Sequence, residues 1–184
     1  MNRRTMAMVA ALTAVVGAPL LAQPEAKPAV VEQAAPQEQM VVLYLDLTAM
    51  SKEDLAGGVS LAKKSFNLRP GGTQLVALIS YDGRSVRVGQ DFTDDFDLLE
   101  KTLDQVLASA GNAVPAIDAD RARALEQAVR MLRTLPEKKA LVYLGMPQTL
   151  GSAEQREATI KAAKEANVAF YPIDVRGLAA GPGK

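Results

Sequence analysis

Asp46 and Thr48 stand two residues apart at the end of one apolar run, and Asp174 and Arg176 stand two apart at the end of another. These are the positions where a carboxylate, a hydroxyl or a guanidinium can meet a ligand, because open parallel sheets bind beyond the carboxyl ends of their strands. The chain contains no histidine and no cysteine. Ser-His-Asp and Cys-His catalysis are therefore excluded, with every His-ligated zinc site, every disulfide and every thiolate metal site. Carboxylates, hydroxyls and lysines remain for chemistry. Asp174 and Arg176 form either a site or a simple ion pair. Asp118 and Asp120 could reach the same crevice, although Asp118 reads more simply as a helix cap.

Three enzyme patterns fail on context. Ser60-Leu61-Ala62-Lys63 matches the Ser-x-x-Lys of penicillin-binding enzymes, but no Lys-Thr-Gly accompanies it and Ser60 falls in mid-helix. Gly183-Lys184 lacks both the first glycine and the Ser or Thr of a phosphate loop. Gly71-Gly72 precedes a strand instead of following one, so it is a turn and not a dinucleotide fingerprint.

The elements that must position the strand-end residues are legible from periodicity. Met40 to Leu45, Leu75 to Ser80, Ala140 to Leu144 and Val168 to Ile173 are short apolar runs, as expected of strands buried on both faces. Ser85 to Val88 alternates, and the Asp82-Gly83 turn before it marks it as an antiparallel edge strand. Ser51 and Asp54 form a capping box for a helix carrying Leu55, Val59, Ala62 and Phe66; Gly57-Gly58 interrupts it, which close helix–sheet contact would explain. Thr93 caps a second helix, with Asp94, Asp95 and Asp97 in its first turn and Phe96, Leu99, Leu103 and Val106 as its stripe. A third opens near Asp118 with Ala122, Leu125, Val129 and Leu132 on one face, and Ser152 with Gln155 caps a fourth. Strands alternating with amphipathic helices predict a doubly wound α/β fold, a mostly parallel sheet of order 3-2-1-4-5 with one antiparallel edge strand and helices on both faces.

Residues 1–22 read as a secretory signal peptide: Arg3 and Arg4 supply the positive start, Met6 to Leu21 is apolar and Ala-rich, and Ala22 suits position −1 of a cleavage site. The apolar run is short for a membrane span and carries Thr13, Gly17 and Pro19. Residues 23–39, rich in Pro, Ala, Gln and Glu, read as a disordered linker. The domain proper covers 40–178, and 179–184 is a flexible tail. The chain has 184 residues with 21 basic and 21 acidic; losing Arg3 and Arg4 leaves 19 against 21, a net charge of −2. Such a chain has no electrostatic footprint for nucleic acid.

Four ordered motifs carry a family likeness. They are Leu43-Tyr44-Leu45-Asp46-Leu47-Thr48-Ala49-Met50, then Val88-Gly89-Gln90-Asp91-Phe92-Thr93-Asp94-Asp95, then Lys138-Lys139-Ala140-Leu141-Val142-Tyr143, and the stretch from Ala166 to Leu178 containing Tyr171-Pro172-Ile173-Asp174-Val175-Arg176. In these the chain resembles a von Willebrand factor A (VWA) domain, most closely the acidobacterial VWFA-related family, with a Rossmann-like VWA fold. The resemblance implies a role in protein binding and a metal-ion-dependent adhesion site opening Asp-x-Ser-x-Ser after the first strand. Asp46 and Thr48 match its first two ligand positions, and Met50 departs from the third. A thioether suits neither Mg²⁺ nor Ca²⁺, which take oxygen. The family's later threonine falls in Gly111 to Ala116, which holds none, and its later aspartate falls at Gly145-Met146. Asp46 and Thr48 are thus either ligands of a degenerate metal site or polar strand-end residues that bond loop backbone.

The expectation is an exported, periplasmic or secreted VWA-like module that binds a protein partner of the envelope. It has no catalytic residues, no cofactor unless the degenerate site at Asp46 and Thr48 holds Mg²⁺, no nucleic-acid partner and no membrane span once the leader is cleaved. Its binding residues are Asp46, Thr48, Asp174 and Arg176. The alternative is a cation-dependent binding protein or hydrolase built on Asp46, Asp174 and a lysine. The sequence ends soon after the fifth strand, as a fragment or a shortened member of the family would.

Overall fold

The structure, a computed structural model, describes residues 40–48, 50–147 and 150–176. The expected leader (1–22), linker (23–39) and tail (179–184), with Gly177 and Leu178, lie outside the described residues.

Five strands and four helices follow in the order β1 (Met40–Asp46), α1 (Lys52–Ser65), β2 (Leu75–Tyr81), β3 (Val86–Thr93), α2 (Phe96–Ser109), α3 (Asp118–Met131), β4 (Lys139–Gly145), α4 (Ala153–Glu165) and β5 (Val168–Asp174). The sheet order is β3-β2-β1-β4-β5, with β3 antiparallel to β2 and every other pair parallel. This is the doubly wound α/β arrangement that the apolar runs imply.

Alternation along each strand explains why those runs are continuous. Val41, Leu43 and Leu45 of β1 face a core shared with Leu55 and Val59 of α1 and Leu99 and Leu103 of α2. Val42 and Tyr44 face a second core with Leu125 and Val129 of α3 and Ala162 and Ala163 of α4. Both faces being covered, a polar group on β1 or β4 is cut off from water, and the Tyr44 hydroxyl of β1 is buried without a hydrogen-bond partner among the described residues.

Local signals set most helix starts. Ser51 caps α1, its hydroxyl accepting from the Asp54 amide at 3.0 Å. The Ser152/Gln155 capping box of α4 is complete, both reciprocal bonds being present. Gly58 is explained by close approach: a Cβ there would stand 2.3 Å from Val175 Cγ1.

Three boundaries differ from expectation. The edge strand β3 runs on to Thr93, with register shifts against Val76 to Ile79, so Thr93 ends a strand and the cap of α2 is Asp95. The Thr93 hydroxyl instead accepts from the Asp95 amide, and of the three aspartates only Asp97 lies in the first turn. Continued pairing with β2 outcompetes the earlier cap. Asp118 is likewise not a cap: Ile117 holds that position without a side-chain bond, and the Asp118 carboxylate is drawn to Arg121.

Candidate functional site

β1 ends inside the protein. Asp46 is 2% exposed at the carboxyl end of the sheet, its backbone in register with Tyr81 of β2. The turn that follows folds back onto the carboxylate: Oδ1 accepts from the Thr48 amide at 3.1 Å and from Thr48 Oγ1 at 2.7 Å. This is an Asx-type turn, in which a side chain replaces the backbone acceptor lost when a strand ends.

Two further groups complete the surroundings. Tyr143 of β4 donates its phenol to Asp46 Oδ2 at 2.9 Å. Arg121 of α3, buried to 6% exposure, sets its Nε 3.9 Å from the same oxygen, and its terminal nitrogen binds Asp118. An unpaired carboxylate at this depth would cost several kcal/mol. Here the charge is balanced by a guanidinium and its two oxygens accept from an amide and two hydroxyls. Burial pushes the Tyr143 phenol far above its ordinary range, and the Asp46 charge and hydrogen bond push it the same way. Burial, then Asp46, also raises Tyr44, whose ring stacks on Tyr143 at 5.6 Å. The phenol of Tyr143 is thus a fixed donor and not a proton acceptor.

A hard dication fits these residues poorly. Mg²⁺ takes near-octahedral oxygen ligation and resists dehydration. Its one carboxylate would be Asp46, already beside a cation. Met50, at the third ligand position of the pattern, packs its side chain against the core of α1 and α2. At Gly145, where the resemblance puts a later aspartate, a Cβ would stand 2.7 Å from Tyr143 Oη. Among the described residues no three Asp, Glu, His or Cys side chains gather as a metal cluster would. Ser51, which could have stood in for Met50, is occupied in capping α1.

The structure does not bring Asp174 to Asp46. Asp174 pairs in register with Gly145, so β4 separates it from β1. Two strand spacings put their backbones about 10 Å apart. Asp174 is engaged with Arg176, whose Nε lies 2.8 and 3.1 Å from its two oxygens and whose amide lies 3.2 Å from Oδ1. This bidentate pair closes a turn at the end of β5. Asp120 pairs with Arg123. The buried lysine, Lys139, lies at the opposite end of β4, its Nζ donating to the carbonyls of Leu135 and Glu137. Burial lowers its pKa, with Glu137 opposing.

Sequence reasoning missed Arg121 and Tyr143, which do most to define the surroundings of Asp46. A signal for the first was present. Arg121 lies four residues before Leu125 and seven before Ala128, on the buried stripe of α3, where a charge needs a partner. Tyr143 sits in a fully buried strand, where a hydroxyl usually finds a partner.

Sequence comparison finds no matching family model and no matching curated relative. Among solved structures the chain is similar to the conserved hypothetical protein BatB from Bacteroides thetaiotaomicron, at 14% identity and a TM-score of 0.41, over 77% of this chain and 95% of that one. It is similar to the SpRpn10 VWA domain at 11% identity and a TM-score of 0.39, over 78% and 93% of the two chains. The human COPII-coat protein Sec24c matches at 12% identity and a TM-score of 0.47, over 78% of this chain but 27% of its own length.

Proposed function

We propose that this chain is an exported protein-binding module of the VWA type that engages its partner without a cation and without catalysis. The observation that carries this reading is the state of Asp46. The residue best placed to ligate a metal or act as a base is sealed at 2% exposure by Thr48, Tyr143 and Arg121. What supports the VWA assignment is the ordered set of four sequence motifs together with the β3-β2-β1-β4-β5 sheet. The hydrolytic alternative needs Asp46 and Asp174 to converge, whereas β4 stands between their strands, two backbone spacings or about 10 Å, and each carboxylate is engaged with its own arginine.

Export rests on the leader-like residues 1–22 and places the partner in the periplasm, the envelope or outside the cell. No helix among the described residues is long and apolar enough to cross a membrane. The near-neutral charge supports a protein partner over nucleic acid.

Capture by the full chain from an envelope extract tests this, run in parallel with millimolar Mg²⁺ and with EDTA. The same protein should be retained in both, and Asp46→Asn should retain it provided the variant is folded. Retention only with Mg²⁺ contradicts cation-free binding. Retention of nothing in either buffer contradicts the binding-module reading itself.

A further inference from the structure

The two edges of the sheet are built differently. The β3 edge is guarded by bulges and by the exposed polar side chains of Arg87 and Asp91. The β5 edge reads Val-Ala-Phe-Tyr-Pro-Ile, with no charge before Asp174. Beside it, between β5 and α4, lies a groove of about 390 Å³. Leu150, Ala163, Phe170 and Pro172 line it, and Ile160, 54% exposed, stands at its wall. Hollow and isoleucine together make a contiguous apolar patch, the kind of surface that marks interaction sites, unlike apolar side chains exposed singly.

Its charge is one-sided. Arg156, held by the Gly151 carbonyl at 2.6 Å, and Lys164 line the groove, and no acidic side chain does. Lys164 also lines the adjoining hollow with Lys138 and Asn167, so the basic character continues along the same side. In a chain with equal acidic and basic totals this local excess selects for carboxylates on whatever docks.

The backbone decides between a docked strand and a docked helix. The Val175 amide donates to Gly145 and the Asn167 carbonyl accepts from Lys139, so residues 167, 169, 171, 173 and 175 face β4. Residues 168, 170, 172 and 174 then face outward, and Pro172 offers no N–H there. An added strand would lose a ladder bond at its centre, whereas a helix lying in the groove needs only side-chain contacts.

We propose that the β5–α4 groove docks an amphipathic helix of the partner protein, with apolar residues three and four apart filling it and carboxylates meeting Arg156 and Lys164. This assignment rests on the binding-module reading above. Displayed random peptides of about 16 residues, four helical turns, selected on the full chain provide the probe. The selection should enrich Leu, Ile or Phe at that spacing beside Asp or Glu. The enriched peptides should lose at least about tenfold in affinity on Ile160→Glu and on Lys164→Glu, as truncation of an interface anchor does. Both positions are exposed, so the melting points of the variants should match the parent. No enrichment, an alternating strand pattern, or equal binding to both variants overturns the assignment, as does a dimer of the chain dispersed by Ile160→Glu. If the envelope partner is captured equally by Ile160→Glu, the binding module stands and the groove assignment falls. If nothing is captured by the parent chain, the module reading fails on its own.

Discussion

Arg121→Ala should lower stability by about 3–5 kcal/mol, the range expected when one member of a buried ion pair is removed and the other is left behind. The substitution leaves Asp46, 2% exposed, without the guanidinium that balances it. It also strips α3 of the link between Asp118 and the sheet. Thr48 and Tyr143 would still donate to the carboxylate, so the loss should fall short of what a bare buried anion would cost. Urea unfolding followed by circular dichroism measures it. The double variant Asp46→Asn/Arg121→Ala removes the stranded charge, so it should be more stable than Arg121→Ala alone. Such a non-additive cycle is the signature of two directly coupled groups. A loss within about 0.5 kcal/mol for Arg121→Ala would mean that the guanidinium does not compensate Asp46.

Gly145→Asp should also be damaging, with a loss above about 3 kcal/mol or no folded protein, because it combines overpacking with a second buried carboxylate. A Cβ at this position would meet Tyr143 Oη at 2.7 Å and the ring carbon beneath it at 2.8 Å. The ring has nowhere to go: it is fully buried, stacked on Tyr44 and tied to Asp46. Gly145→Ala separates the two contributions, since it adds only the methyl, and should cost about 1–3 kcal/mol. The remainder reports the repulsion between the new carboxylate and Asp46. A Gly145→Asp protein that melts with the parent would show that this position retains room for the acidic residue the VWA pattern puts there.

The strands were legible because a sheet covered on both faces admits no polar alternation, so β1 and β4 read as unbroken apolar runs. The cap of α4 was legible because its two reciprocal bonds need Ser152 and Gln155 at that spacing. Thr93 misled because a strand end and a helix cap both favour a hydroxyl, and only pairing with β2 decides between them. Asp118 misled because a tertiary ion pair with Arg121 outweighs a local cap. At the strand-end crevice, Asp46 and Thr48 do stand together, and their local hydrogen bonds follow from the spacing. Arg121 and Tyr143 come from elements 75 and 97 positions away, so no local pattern could have brought them to Asp46. Asp174 failed as a partner for the opposite reason: it ends a neighbouring apolar run, but strand order puts β4 between it and Asp46.

We propose Asp46 as an internal structural anchor, balanced by Arg121, and not as a cation ligand. Thermal unfolding of the full chain in EDTA and in millimolar Mg²⁺ tests it most directly. A working site at about 100-fold its dissociation constant would add roughly 2.7 kcal/mol of stability. That corresponds to a rise of several degrees in melting temperature for a domain of this size. The account predicts the same melting temperature in both buffers. A rise of several degrees in Mg²⁺ that disappears in Asp46→Ala would contradict it and make Asp46 a metal ligand.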